Sequence, residues 1–163
     1  MKRLTRLGLT AVASAMLAIS GSALAVNADK TLTARVTVTG GCVFDKHSTS
    51  STELNFGTVD ATTVAVAPTA TATVFYNCSK DLPYSVAVTG SNDSAGSFFL
   101  KDAGTRTLPY SRTVTGAGAG QTGAGMGVPQ QKQVVINGSI AVTDVVSAAA
   151  TSYTDSILVR ITY

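Results

Sequence analysis

Val26-Asn27-Ala28-Asp29-Lys30-Thr31-Leu32-Thr33-Ala34-Arg35-Val36-Thr37-Val38 is the stretch on which the reading of this chain turns. Side chains of an extended strand alternate between two faces, so an apolar period of two marks β-structure. The even positions Val26, Ala28, Leu32, Ala34, Val36 and Val38 are apolar, and Lys30 alone interrupts them. The odd positions Asn27, Asp29, Thr31, Thr33, Arg35, Thr37 and Thr39 are polar or charged. Fully extended, the segment spans roughly 40 Å, long for one strand of a small domain. Two uses fit that length. The strand pairs within its own domain, or it leaves and adds to a sheet of another subunit, its backbone supplying ladder hydrogen bonds and alternate side chains filling pockets. Periodicity alone accommodates both.

The residues before this stretch read as a targeting segment. Lys2, Arg3 and Arg6 precede an apolar run from Leu7 to about Ile19, and Ala23-Leu24-Ala25 forms an A-x-A cleavage site. That pattern is a secretory signal peptide over residues 1–25, with the mature chain starting at Val26. The run is too short for a stable membrane span. No later stretch is apolar enough to cross a bilayer, so no integral membrane segment is expected after leader removal. The chain has 12 Lys+Arg against 9 Asp+Glu, a net +3. Three of those cations lie in the leader, which leaves the mature chain balanced and gives no electrostatic case for nucleic acid or an anionic membrane. The remaining length suits a single domain over residues 26–163.

Cys42 and Cys78 are the two cysteines, and in an exported protein an even pair reads as a disulfide. Gly40-Gly41 breaks the alternation just before Cys42. Further strands are expected at Leu54-Asn55-Phe56-Gly57, around Ala72, Val74, Tyr76 and Cys78, and around Tyr84, Val86 and Val88. Phe98 to Lys101 and Thr107 to Thr113 follow, with Pro109 placing the second at an edge or bulge. Residues 115–127 carry six glycines and predict a flexible loop. Val134, Ile136, Ile140 and Val142 mark another strand, with Asn137-Gly138 as a bulge or turn inside it, and residues 144–152 read as a small-residue connection. The last strand begins near Thr154. Ile157, Val159, Ile161 and Tyr163 share one of its faces, and Ser156, Leu158, Arg160 and Thr162 the other. Many short strands without a helical period predict an all-β fold, an Ig-like sandwich.

Reaction chemistry has little foothold. His47 is the single histidine and stands near Asp45 and Ser48 in a polar stretch, with no G-x-S-x-G element to supply a positioned nucleophile. The acids are scattered rather than spaced as a calcium loop, and the glycines of residues 116–127 lack the Lys-Ser/Thr of a phosphate loop. Tyr76, Tyr84, Tyr110, Tyr153 and Tyr163 read as core or sheet residues. No enzyme activity, cofactor or metal is expected.

Gly41-Cys42, Leu54-Asn55-Phe56-Gly57, Cys78 closing a strand, and Tyr153-Thr154-Asp155 opening a terminal strand that stops at Tyr163 occur in this order over most of the mature chain. In that order they resemble the spore coat U domain family, which includes subunits of Csu-type archaic chaperone–usher pili. The resemblance implies an incomplete sandwich, completed by donor-strand exchange, that polymerises into a surface pilus (fimbrium) serving adhesion and biofilm formation. It implies as partners identical or related pilins, a periplasmic chaperone and an outer-membrane usher, and export through the periplasm to the cell surface. Carried onto this chain, the donor segment lies within residues 26–38. Ile157, Val159, Ile161 and Tyr163 would form one wall of the acceptor groove. A shaft or adaptor subunit is expected rather than a tip adhesin. The other classes in play are a spore-coat-type structural protein and a secreted carbohydrate-binding module.

Overall fold

The computed structural model describes residues 30–163. The proposed leader and the donor positions Val26 and Ala28 lie outside the described residues. Eight strands form: β1 Cys42–Phe44, β2 Thr69–Cys78, β3 Pro83–Gly90, β4 Phe98–Lys101, β5 Thr107–Thr115, β6 Gly118–Thr122, β7 Lys132–Ser139 and β8 Ile157–Thr162. A short helix, α1 Val142–Ser147, lies between β7 and β8. The strands make a five-stranded sheet ordered β1-β2-β7-β5-β4 and a three-stranded sheet ordered β6-β3-β8, with every pairing antiparallel. This is the expected all-β, Ig-like arrangement of two sheets. No helix among the described residues is long and apolar enough to cross a membrane.

Alternation sets which faces meet. Along β2, Ala70, Ala72, Tyr76 and Cys78 point inward, and along β7 Val134 and Ile136 do so. Tyr76, Cys78, Val134 and Ile136 pack with Tyr84 and Val86 of β3 in one cluster, and Val159 and Ile161 of β8 pack against it. Tyr76 and Tyr84 bridge the sheets edge-to-face at 5.8 Å, with their hydroxyls 3.3 Å apart. A second cluster centres on Leu108 and Tyr110 of β5, Ile140 and Val145.

Cys42 and Cys78 are joined by a disulfide and face each other in the β1–β2 register. The bond fastens an edge strand of three residues to a central one of ten. Pro109 lies where β5 is paired with β4 only, since the β5–β7 ladder begins at Ser111. Its missing N–H therefore leaves no ladder bond unmade.

Of the two uses open to the N-terminal segment, pairing within its own domain does not occur among the described residues, and four further expectations are corrected. Residues 30–41 contain no strand, and Leu32, Val36 and Val38 are 86%, 86% and 85% exposed. The alternation there is real, but a strand needs a ladder partner, and these residues have none among the described residues. Leu54 and Phe56 turn half-buried side chains inward as a strand would, yet Leu54 to Gly57 pairs with nothing, and Gly57 N–H closes a local turn onto the Asn55 side chain at 2.7 Å. Asn137-Gly138 is neither bulge nor turn, because β7 runs through it in regular register with both neighbours. Residues 144–152 are not simply a connection, since α1 plants Val145 in the second cluster.

The glycine-rich stretch departs furthest from expectation: it contains β6, paired to β3. Its glycines permit close backbone packing. A side chain on Gly116, whose φ is +81°, would collide with the Gln133 carbonyl, and one on Gly123 with the Ser79 carbonyl. Fully buried Asn77 donates from its side chain to the carbonyls of Gly125 (3.2 Å) and Gly127 (3.0 Å), holding the end of the stretch against β2.

Two outcomes are expected. Opening the disulfide by Cys42→Ser frees a loop with a sequence separation of 36. By chain entropy this should lower unfolding free energy by about 4 kcal/mol, read from urea denaturation and from yield of exported protein. Gly116→Ala, forced into a left-handed conformation against a backbone oxygen, should cost about 1–3 kcal/mol, whereas a free loop would tolerate it.

Candidate functional site

β8 is hydrogen-bonded to β3 on one side and, among the described residues, to no strand on the other, so its outer backbone edge is open. Beside that edge the sandwich is not closed. A cleft of about 870 Å³ runs between residues 51–62 on one bank and Ile157 and Val159 of β8 on the other. Ala72, Val74 and Ile136 form its floor, and Leu108, Tyr110, Ile140 and Val145 continue it into the second cluster. The lining is mainly apolar and comes from both sheets, which is what a sandwich presents where one strand is missing between them.

The bank formed by residues 51–62 owes its position to a notch in β7. Gly138 faces inward with Val134 and Ile136, and a Cβ there would stand 2.6 Å from Phe56 Cζ and 3.0 Å from Leu54 Cδ2. The absent side chain is the space that Leu54 and Phe56 occupy. Phe56 then meets Tyr110 edge-to-face at 6.1 Å. Ser51 donates its backbone N–H to Thr73 O at 2.7 Å and accepts from Thr73 N–H at 3.0 Å, which ties the start of the bank to β2.

The model of the Spore Coat Protein U domain matches residues 28–160. The chain belongs to the Spore Coat Protein U domain family. Among curated proteins nothing matches. Among solved structures, a chain of the crystal structure of the CsuC–CsuE chaperone–tip adhesion subunit pre-assembly complex, from archaic chaperone-usher Csu pili of Acinetobacter baumannii, is similar. It superposes with a TM-score of 0.50 at 20% identity, covering 78% of this chain and 40% of that one. At that identity the likeness concerns the fold, and this chain spans 40% of the length of the solved chain.

In this Spore Coat Protein U domain the end of the cleft is organised by a polar network. The Arg112 guanidinium on β5, only 3% exposed, pairs with Asp93 Oδ2 at 2.6 Å and donates to the Tyr110 hydroxyl at 3.3 Å. Its Cζ lies over the Phe98 ring, 4.2 Å from the ring centre. Tyr110 donates to Asp155 Oδ2 at 3.0 Å, and Asp155 Oδ1 accepts from the Ser91 hydroxyl (2.9 Å) and the Asn92 N–H (3.1 Å). Asp93 Oδ2 also accepts the Gly90 N–H at 2.6 Å. The network thus connects the turn after β3, the middle of β5 and the residue two positions before β8. Burial, with the Asp155 contact behind it, pushes the Tyr110 hydroxyl up to about 12. Burial and the Tyr84 contact push Tyr76 higher still.

Of the acceptor residues expected from sequence, Ile157 and Val159 line the cleft. Ile161 packs on the first cluster, and Tyr163 is 64% exposed with its ring beside Gly41. Leu54, Phe56, Tyr110, Ile140 and Val145 were not anticipated as lining. The Leu-x-Phe-Gly element was the one local signal for the first two. The polar trio around residue 47 does not assemble: His47 Nε2 donates to the Met126 carbonyl at 2.9 Å, Ser48 donates to Gln131 at 2.8 Å, and Asp45 accepts from Ser50.

Removing the guanidinium by Arg112→Ala should destabilise the domain by about 3 kcal/mol, because it strands a partly buried carboxylate; thermal melting reads this. The tyrosines make a pH prediction. A hydroxyl whose folded value is raised from 10.0 to about 12 holds its proton more tightly when folded. Its contribution is therefore complete below pH about 10 and is lost as pH rises toward about 12. Tyr110→Phe should flatten that alkaline decline without abolishing it, since Tyr76 titrates in the same sense.

Proposed function

We propose that this chain is a structural subunit of a chaperone–usher surface pilus, polymerising by donor-strand exchange and catalysing no reaction. The observation that carries the reading is the open outer edge of β8 beside an apolar cleft between the two sheets. An edge of unpaired N–H and C=O groups over an apolar trough is a template for an incoming strand and an aggregation hazard until it is covered. Family membership and the likeness to a chain from a Csu pilus complex support the same reading.

The occupant is the N-terminal segment of another subunit, within residues 26–38. Leu32, Ala34, Val36 and Val38 lie on one face of an extended chain, and in the structure Leu32, Val36 and Val38 are almost wholly exposed. Burying those three larger side chains in a cleft would contribute roughly 5–8 kcal/mol before ordering is subtracted. Before assembly a periplasmic chaperone covers the groove, and at the outer-membrane usher the next subunit's segment replaces it. The signal peptide over residues 1–25 starts the route that ends in the fimbrium at the cell surface.

The test removes residues 26–38 from the mature chain. Instability of the truncated domain, with a sharp rise in melting temperature when a synthetic peptide of that sequence is added, is the expected result. A stable monomer indifferent to the peptide would sink the fibre mechanism. In the intact chain, Val36→Asp should block polymerisation while leaving chaperone binding largely intact. An ordinary core strand would lose folding as well.

A further inference from the structure

The banks of the cleft differ in charge. Its lining includes Glu53, Asp60 and Asp155 and contains no Lys, Arg or His. Asp155 is held on both oxygens by Ser91, Asn92 and Tyr110, so it contributes field rather than a free acceptor. Glu53 and Asp60 are different. Both are exposed on the bank of residues 51–62, and neither makes an ion pair among the described residues. Asp60 accepts the Thr62 N–H (2.8 Å) and hydroxyl (2.7 Å) on a single oxygen, Oδ1. Those bonds hold its carboxyl below the usual range, so it is ionised whenever the protein is folded at neutral pH. β8, the strand of the opposite bank, carries Arg160 on its outward face, outside the lining.

The segment assigned above to the cleft has the complementary pattern. Within residues 26–38 its charged side chains are Asp29, Lys30 and Arg35; the one acid stands beside Lys30 near the N-terminal end, and Arg35 is the only charge among the apolar positions from Leu32 to Val38. Arg35 is on the odd face. With Leu32, Ala34, Val36 and Val38 turned to the floor, its guanidinium is therefore directed to the rim. Lys30 is on the apolar face, and an ammonium has no partner over a floor of Ala72, Val74 and Ile136. It must come to rest past the apolar stretch, at the mouth of the cleft.

We propose that the cleft selects and aligns its occupant by charge: the acidic bank of Glu53 and Asp60 attracts Arg35 of a second copy's N-terminal segment, and Lys30 sets where insertion stops. This rests on the donor-strand reading and adds a specificity element to it. Exposed pairs of this kind add little to final affinity, and their effect falls on the association rate, on its salt dependence and on the rejection of wrong partners. A donor with an acidic residue at the position of Arg35 would be disfavoured whatever its apolar pattern.

The experiment uses the full mature chain carrying Val36→Asp, which disables its own segment, and a fluorescent peptide of residues 26–38. Association is followed by anisotropy at about 0.02 M and 0.5 M salt, conditions that change the screening length several-fold. The expected result is binding whose rate falls with salt. Glu53→Gln and Asp60→Asn should each slow it about two- to fivefold at low salt. An Arg35→Glu peptide should be slowed likewise, and should recover on a Glu53→Lys domain. Unchanged melting of the variant domains separates lost charge from lost fold. Binding that is indifferent to salt and to every charge change would overturn the electrostatic selection while leaving the groove in place. Absence of binding by the unmodified peptide at either salt would overturn the groove reading and this inference with it.

Discussion

A backbone edge cannot be left half-bonded over an apolar surface without consequence, and in this domain that edge belongs to β8. Its ladder to β3 fixes one side and turns Ile157, Val159 and Ile161 toward the interior. Among the described residues nothing pairs with its other side, and a cleft opens there beside the two core clusters, which share Leu54 as a packed neighbour. The inward turn of Leu54 and Phe56, the notch at Gly138 and the insertion of Val145 from α1 are all responses to the same gap. Leu54, Phe56 and Val145 line that opening, the notch at Gly138 makes room for the first two, and none of them pairs with the free edge of β8.

The polar network beside Asp155 is the counterpart of that opening. A strand with one free edge is the element most prone to fray. Here its approach is held by a carboxylate with three donors, backed by a buried Arg112 paired with Asp93. The apolar trough and the rigid polar end are therefore adjacent by construction. The chain entering β8 is fixed by hydrogen bonds instead of by a neighbouring strand.

Much of this was legible in the sequence wherever side-chain burial alternates with the pleat. β2, β3, β5 and β8 were visible because Ala72, Tyr76, Val86, Tyr110 and Ile157 recur on one face at a period of two. At residues 30–38 the same signal marks a segment that has no strand in its own domain among the described residues, and at Leu54 to Gly57 it marks inward side chains without a ladder. Periodicity reports which side chains are destined for an interior, not whether a backbone partner is present. The glycine-rich stretch failed for the opposite reason: glycine carries no pattern, and the cause of β6 is tertiary, the approach of the Gln133 and Ser79 carbonyls. α1 is a six-residue helix, too short to show a helical period. Arg112, Asp93 and Asp155 lie far apart in the chain, so their meeting follows only from the topology.

The disulfide has a mechanical meaning. β1 is three residues long, an edge strand whose ladder alone would peel under modest tension. Because Cys42 is its first residue and is bonded to the last residue of β2, a pull applied to the chain before residue 42 bypasses that ladder. The load passes covalently into β2, whose pairing with β7 extends over eight residue pairs from Thr69 to Tyr76. Tension entering at the N-terminal side is thus carried along the long axis of the central strands, in shear, where many hydrogen bonds must break together rather than one after another.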